Sequence, residues 1–370
     1  MLTQPSVSVS GGSALTRPSV AAPATRLFFF DNLRIVAMIL VIAHHAGQAY
    51  GPTGGVWPIK EATTAAILDP FFTVNRSLGM SFFFMIAGYL MVISCDHKGP
   101  LPFLKDRVLR LGLPVLGWFL LMVAVALLVD HRVTLPAEMA HMWFVQHLLI
   151  FCAVYAAWRW IRRDHPLSGS TPSRVPSWWA IVAFALVLAP VSAVIRHWYP
   201  IDDWVYLLNF VKVAWADVPR DLSLFIIGAI AYRKGWLGGF SSGAGRLWLA
   251  IGVLLAGLMY CVKLIAPSSS FLTNSQSLLY AVWESLLCIS LCIGLTVVFR
   301  DLWNSQSALG RKMAKGQYAT YIFHLGVVVL FQWALLNLVA APFVKFVLAT
   351  LLAVPVAFLL GYWLSKPLKL

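Results

Sequence analysis

Charged residues are scarce in this chain of 370 amino acids: only 11% of its residues are Asp, Glu, Lys or Arg. Soluble globular proteins have roughly 25% charged and 45–50% apolar residues, whereas 60% of this chain is hydrophobic. This composition excludes a water-soluble globular fold. Because its apolar stretches have the length of membrane-spanning helices, the sequence predicts an all-α polytopic membrane protein.

Cysteine motifs and zinc-protease motifs are also missing. The five cysteines have no CxxC or metal-site spacing, and most fall within or beside apolar runs, as small buried hydrophobic residues do. There is no HExxH motif. Histidines inside a helical bundle are also compatible with b-type haem, which requires opposed histidines at matched depth. The sequence predicts no metal site and no bound cofactor.

A basic stripe with interleaved aromatic residues, typical of nucleic-acid binding, is absent outside the apolar segments. The net charge of +14 is explained by the preference of Lys and Arg for cytoplasmic loops. The sixteen Trp and eleven Tyr residues suit the two membrane interfaces, where aromatic residues are enriched. The sequence therefore predicts membrane lipid, and no nucleic acid, among the partners of the chain.

Ten apolar stretches are long enough to cross a membrane, and this even number places both termini on one side. The 19 Lys and Arg residues on the N-terminal side outnumber the seven on the other side, which indicates a cytoplasmic N-terminus. Residues 1–26 are rich in Ser, Pro, Ala and Gly and predict a disordered cytoplasmic tail. Residues 27–370 form one transmembrane domain. The stretches are 27–50, 70–94, 111–129, 140–158, 178–195, 218–232, 247–266, 277–299, 317–338 and 343–364.

The first apolar stretch carries Arg34 and His45, separated by ten residues. Eleven steps of ~100° make ~1100°, so both side chains lie on one helix face ~16 Å apart. Charged or titratable groups inside a membrane helix are costly and usually functional. Asp31 can also neutralise Arg34 as an ordinary intrahelical ion pair. His44 lies ~100° from His45 and is therefore a packing or supporting residue.

Basic residues follow on the next two stretches. Arg76 lies near the outer end of the second stretch, either snorkelling to the interface or contacting the reacting groups. Lys105, Arg107 and Arg110 lie at the cytoplasmic mouth of the third stretch, which Pro114 stops or kinks. These three residues suit a positive-inside loop, and they suit a phosphorylated ligand equally well.

Further polar groups occur near the outer end and in later stretches. Glu138 and His141 are one turn apart at the beginning of the fourth stretch, and Tyr321 and His324 share a face of the ninth. These four residues are candidates for contacts to an acceptor or for support of the site. Glu284 lies midway along an apolar run and needs a partner there.

Together these motifs resemble the membrane-bound acyltransferase 3 family. The Arg-x10-His spacing of Arg34 and His45 matches its first helix, and MSFFFMIAGYLM (80–91) is similar to its second. KDRVLRLGLP (105–114), DLSLFIIGAIAYRKGWL (221–237) and YATYIFH (318–324) resemble its later motifs, so the resemblance covers about residues 28–364. The segment EMAHMWFVQHLL (138–149) is similar to the branch containing glucan succinyltransferases.

The resemblance implies transfer of an acetyl or succinyl group from cytoplasmic acyl-CoA to a hydroxyl of an extracytoplasmic carbohydrate, in the bacterial inner membrane. His45 would then be the general base, with Arg34 and Arg76 as the other catalytic residues. Arg34, Lys105, Arg107 and Arg110 would bind acyl-CoA. Asp31, His44, Glu138, His141, Tyr321 and His324 would contact the acceptor or support these groups. A proton-coupled transporter or flippase is the alternative, although no internal repeat is evident. The oligomeric state stays open between a monomer and a homodimer.

Overall fold

The computed structural model describes residues 27–52, 57–130, 138–163, 173–266 and 273–366. The predicted disordered tail, residues 1–26, lies outside these described residues. In the described part of the chain, nearly all of the secondary structure is helical, with one short hairpin. The helices are α1 (Phe28–Gly47), α2 (Leu68–Lys98), α3 (Pro100–Arg107), α4 (Leu113–Asp130), α5 (Trp143–Ile161), α6 (Trp178–Trp198), α7 (Val218–Arg233), α8 (Trp236–Gly239), α9 (Ser242–Ile265), α10 (Leu278–Leu302), α11 (Ala308–Ala334) and α12 (Pro342–Ser365).

Among the described residues, eight helical segments are long and apolar enough to cross a membrane, which confirms an all-α polytopic membrane protein. The other two predicted spans also form helices, α7 and α11. Helix α7 has only 16 residues, and α11 begins with a basic stretch, so neither is among the eight. The count of ten crossings and the cytoplasmic termini therefore stay predictions. We call the end of the bundle at which α1 begins the inner end and the opposite end the outer end, following the charge pattern.

The third span does not stop at Pro114. Helices α3 and α4 form one continuous helical run, joined by a π-helical turn at Val108–Gly112. Proline has no N–H to donate to the carbonyl four residues earlier, which here belongs to Arg110. The wider turn just before Pro114 lets the helix continue, and such π turns are frequent at functional sites. The basic motif 105–114 lies across this turn.

Helices α1 and α2 lie at the centre of the bundle. Two hydrophobic clusters share them: one also includes residues of α5, α11 and α12, and the other residues of α6, α9 and α10. Helix α1 therefore has two buried faces, which look toward different halves of the molecule. This arrangement separates the surroundings of His44 from those of His45.

A β-hairpin closes part of the outer end. Strands β1 (Val205–Leu207) and β2 (Val211–Val213) pair antiparallel in the segment before α7. The Gln146 side chain of α5 holds the second strand, since its amide donates to the Phe210 carbonyl at 2.8 Å and accepts from the Lys212 N–H at 3.1 Å. The hairpin is thus fixed over the beginning of α5.

Helix α7 packs on α2 through two glycines. A Cβ atom at Gly88 of α2 would collide with the Phe225 carbonyl oxygen, and one at Gly228 of α7 would collide with the Met85 carbonyl oxygen. Small residues of this kind let membrane helices approach backbone to backbone. This contact holds the short helix α7, and the charged residues at its start, against the middle of α2.

An ion-pair network joins α2, α6, α7 and α10 in the interior. The Glu284 carboxylate lies 2.5 Å from the guanidinium of Arg196 and 2.5 Å from that of Arg220, and all three side chains are fully or almost fully buried. Asp217 contacts Arg220 at 3.0 Å and Arg76 at 3.1 Å. The sequence-based expectation that Glu284 needs a partner is confirmed, since two arginines from other helices contact it.

We expect Gly88→Ala to destabilise the protein by about 1–3 kcal/mol, because its methyl group would force α2 and α7 apart. Gly79→Ala on the same helix is the matched control, since an added Cβ there meets no atom within 4 Å. Thermal unfolding of the purified protein in detergent measures both variants. An unchanged melting temperature for Gly88→Ala would contradict the close packing of α2 and α7.

Glu284→Gln should be more damaging than any exchange of an exposed charge, with a loss of about 3–5 kcal/mol, because it leaves two buried arginines without their shared anion. Asp301→Asn is the control, since Asp301 pairs with Arg300 at the exposed end of the same helix. Exposed ion pairs contribute about 0–1 kcal/mol. Equal thermal stability of the two variants would show that the network does not stabilise the fold.

Candidate active site

Three histidines from distant parts of the chain converge near the outer end. His45 lies in the last turn of α1, His141 in the 3₁₀ turn before α5, and His324 in α11. The ring centroid of His324 is 5.2 Å from that of His45 and 5.0 Å from that of His141. We call these three residues the histidine cluster.

Each ring of the histidine cluster has a nitrogen that is buried and has no hydrogen-bond partner among the described residues: His45 Nδ1, His141 Nδ1 and His324 Nε2. Buried polar atoms without partners are rare in folded proteins, and each one requires an explanation. A polar ligand that binds beside the rings and supplies the missing hydrogen bonds is an explanation with chemical content.

The partners of the other ring nitrogens define the protonation of two histidines. His324 Nδ1 lies 2.6 Å from the Tyr321 carbonyl oxygen, and His141 Nε2 lies 3.0 Å from the Ile322 carbonyl oxygen. A carbonyl oxygen only accepts, so both nitrogens must carry hydrogen. In the neutral rings, His324 Nε2 and His141 Nδ1 are then lone-pair acceptors. The cluster can therefore receive a proton from a bound group.

Residues of the outer end hold His45 in place. The indole of Trp57 stacks on its imidazole, with 5.5 Å between ring centroids and an interplanar angle of 12°. Trp57 Nε1 donates to Gln332 Oε1 at 2.8 Å, while Gln332 Nε2 donates to the carbonyl oxygens of His45 and Ala46. The fully buried Gln332 of α11 thus binds two carbonyls in the last turn of α1, and the His45 carbonyl also accepts from the Gln48 N–H.

Tyr321 and Glu138 support the cluster from two sides. The Tyr321 hydroxyl donates to the His141 carbonyl oxygen, so its proton is not available to an oxyanion. Glu138 pairs with Lys212 and accepts from the Tyr206 hydroxyl at 3.0 Å, which ties the hairpin to the turn of His141. Burial alone would raise the pKa of Glu138, but the hydrogen bond and charge of Lys212 outweigh burial and hold the pKa below its usual range.

Arg34 lies toward the inner end of α1, as the helical spacing predicts. Its guanidinium is 3.9 Å from the Asp31 carboxylate, so the intrahelical ion pair that the sequence allows is formed, at a long distance. The Arg34 side chain keeps 32% of its surface exposed. It also lies within electrostatic range of Arg107, which belongs to the basic motif of α3.

The inner end gathers seven cationic side chains against three carboxylates, Asp31, Asp96 and Asp106. Arg233 makes a two-bond fork to Asp96 at 2.6 and 2.7 Å, and Arg110 contacts Asp106 at 2.9 Å. The excess of positive charge suits an anionic ligand. The cations are Arg34, Lys98, Lys105, Arg107, Arg110, Arg159 and Arg233.

Three arginines of this inner group have a buried nitrogen without a partner among the described residues: Arg107, Arg159 and Arg233. The terminal nitrogens of Arg233 are already engaged by Asp96. Arg107 lies over the Phe103 ring at 5.1 Å, and its Nε is buried and has no partner among the described residues. Arg159 of α5 contacts Asp96 at 3.6 Å. Its Nε and one terminal nitrogen are also buried and have no partner among the described residues. Arginine forks with free donors match phosphate oxygens. Of the predicted donor-binding residues, Lys105 is exposed and Arg110 is largely exposed and already paired.

Arg76 and His44 lie apart from the histidine cluster. The Arg76 guanidinium is 3.1 Å from both the Asp202 and the Asp217 carboxylates. It is therefore held by ion pairs rather than extended toward the membrane interface, and it lacks buried unpartnered nitrogens like those of Arg159. Its pairing with two acids explains its position. The His44 ring packs edge-on against Phe72 and accepts from the Asn75 amide at 3.3 Å, on the other face of α1.

Trp57, Gln332 and Arg159 are site residues that sequence reasoning missed. Trp57 lies in a loop without periodic pattern, and Gln332 lies among apolar residues at the end of α11. Arg159 follows an apolar stretch, where the sequence pattern shows only one more basic residue on the cytoplasmic side. Among the described residues, no group of three or more His, Cys, Asp or Glu side chains has the geometry of a metal site.

Comparison with known proteins adds a family to this geometry. A family model described as an acyltransferase domain matches residues 27–362. Glucans biosynthesis protein C from Salmonella paratyphi B and from Salmonella dublin are each 24% identical over 238 residues, or 57% of this chain. The protein of the same name from Salmonella heidelberg is 24% identical over 234 residues. The chain spans about 60% of the length of these relatives. No solved structure matches it.

Proposed function

Because the chain belongs to the acyltransferase 3 family, and is thus a membrane acyltransferase, we propose that it moves an acyl group from cytoplasmic acyl-CoA to a hydroxyl of an extracytoplasmic glucan. An acetyl or succinyl group is the cargo, and the bacterial inner membrane is the location. The name of the Salmonella relatives supports a glucan as the acceptor. The carrying observation is the histidine cluster, three neighbouring rings near the outer end that each have one buried nitrogen without a partner among the described residues.

The donor would bind at the inner end. Arg34, Arg107 and Arg159 offer guanidinium groups there, and the last two have buried donors without partners. CoA carries three phosphate groups, and guanidinium forks bind phosphate through paired hydrogen bonds. The flexible arm of CoA then extends along α1, so that its thioester reaches the histidine cluster ~16 Å from Arg34.

The transfer itself is a direct displacement. His45 takes the proton of the acceptor hydroxyl while the hydroxyl oxygen forms a bond to the thioester carbon, and the carbon–sulfur bond then breaks. The CoA thiolate leaves and regains a proton. His324 Nε2, a lone-pair acceptor, lies next to His45 and can share the proton that His45 receives. Trp57 keeps the His45 ring in one orientation throughout.

His45→Ala should lower the rate of acyl transfer about 10²–10⁴-fold, the usual contribution of a general base. His97→Ala is the matched control, because His97 is exposed in the last turn of α2. The protein is reconstituted in lipid vesicles and given radiolabelled acetyl-CoA and succinyl-CoA with glucan, and the labelled glucan is counted.

Near-normal turnover of His45→Ala would remove His45 as the base, provided that His97→Ala and the wild type are equally active. If the wild type moves label across the membrane without attaching it to glucan, the protein is a transporter. His324→Ala tests proton sharing in the same assay, and an unchanged rate would exclude His324 from the reaction.

We expect Arg159→Gln to raise the KM for acyl-CoA about tenfold or more, with a smaller effect on kcat, because charge-assisted hydrogen bonds contribute about 1.5–3 kcal/mol each. The control is Arg162→Gln, an exposed arginine at the end of the same helix. Steady-state kinetics at saturating glucan measure both variants. An unchanged KM for Arg159→Gln, with a normal melting temperature, would contradict a donor site at the inner end.

A further inference from the structure

A second cavity lies at the outer end, on the face of α1 that carries His44 rather than His45. It has a volume of about 230 Å³, below the roughly 300–1,000 Å³ of pockets for drug-sized ligands. The ends of α1 and α9, the beginnings of α2 and α10, and the segment before the hairpin surround it. Its size suits one small ring rather than a long chain.

The charges that line this cavity cancel. Lys263 donates to the Asp69 carboxylate at 2.7 Å, and the Arg76 guanidinium contacts the Asp202 carboxylate at 3.1 Å. With two cations and two anions held in pairs, the cavity has no net charge to select an ion. It favours a neutral ligand that both donates and accepts hydrogen bonds.

The remaining lining combines hydroxyl groups with aromatic rings. Thr73 donates its hydroxyl proton to the Asp69 carbonyl oxygen at 3.0 Å, so its oxygen is left as an acceptor. Ser275 adds another hydroxyl, while Phe72 and Tyr280 add ring surface. A few polar groups on an apolar base orient a ligand with polar edges and apolar faces. A sugar ring has this character, with hydroxyls at its edge and C–H groups on its faces.

Its position links the cavity to the reaction. His44 lines the cavity, and its ring centroid is only 5.8 Å from that of His45. Gln48, in the turn that follows α1, lines it as well. Since α1 ends at Gly47, only this turn separates the two faces at the outer end. A chain of sugars can have one unit at His45 and the next in the cavity.

We propose that this cavity is a subsite for a neutral sugar unit of the acceptor, next to the unit that is acylated. The inference rests on the proposed acyl transfer to a glucan, and it adds a place where the neighbouring unit binds. Such a subsite makes longer acceptors better substrates than a single sugar, because the extra unit adds binding energy.

The experiment fills the cavity from its rim. Ser275 lies in a loop that lines the cavity, so Ser275→Trp places an indole inside it. Leu279→Trp is the control: it adds the same ring four residues later, at an exposed position that does not line the cavity. Transfer from acyl-CoA is measured with glucose and with gluco-oligosaccharides of increasing length. Ser275→Phe replaces the Trp variant if that variant does not fold.

In the wild type and in Leu279→Trp, we expect kcat/KM for the oligosaccharide to exceed that for glucose by about tenfold, the effect of ~1.4 kcal/mol of binding energy. In Ser275→Trp this ratio should fall close to one. A ratio that persists in Ser275→Trp, or that is absent from the wild type, overturns the subsite.

A binding measurement separates the two proposals. Labelled gluco-oligosaccharide is titrated onto the wild type, Ser275→Trp and Leu279→Trp in lipid nanodiscs without donor. If no transfer occurs with any acceptor, the proposed function fails. Binding that Ser275→Trp abolishes and Leu279→Trp retains would then still support a sugar site, and equal binding by all three proteins would overturn it.

Discussion

A charge inside the hydrocarbon region must find its counter-charge within the protein, and this requirement organises the bundle. Glu284 holds Arg196 and Arg220, and Asp217 joins Arg220 to Arg76, so that four helices are connected by buried and partly buried ion pairs. Removing any one partner leaves an uncompensated ion. Helix α7 is short and has fewer apolar residues with which to pack than the longer helices. Its position in the bundle therefore depends on this network and on its glycine contact with α2.

Against this background of paired charges, the polar atoms that lack partners are conspicuous. Two groups of them bear on the proposed transfer: one on the rings of the histidine cluster at the outer end, and one on Arg107 and Arg159 at the inner end. Others, among them atoms of Arg196 and Gln317, lie elsewhere in the bundle. Helix α1 connects the two places, with His45 near one and Arg34 near the other. A substrate that reaches from one side to the other would satisfy both sets, which is what transfer of an acyl group across a membrane requires.

The sequence predicted what depends on local periodicity. The ten helices, and the placement of Arg34 and His45 toward opposite ends of α1, follow from the 3.6-residue repeat. What depends on distant partners could not be predicted: His324 meets His45 from 279 residues away, and Asp217 pairs with Arg76 from 141 residues away. The two acids that hold Arg76 could therefore not be identified from the sequence, and its catalytic role stays a prediction. Of the stop or kink expected at Pro114, the stop does not occur, because a wider turn absorbs the missing hydrogen bond.

His44 and His45 are chemically identical and adjacent, yet they serve different faces of one helix. Their difference is entirely one of angle, about 100° around the helix axis. Insertion of one residue between Arg34 and this pair would present the wrong imidazole to the cluster without removing any functional group, and deletion of one residue would present Ala46 instead. The phase of α1 is consequently as much a part of the site as its side chains.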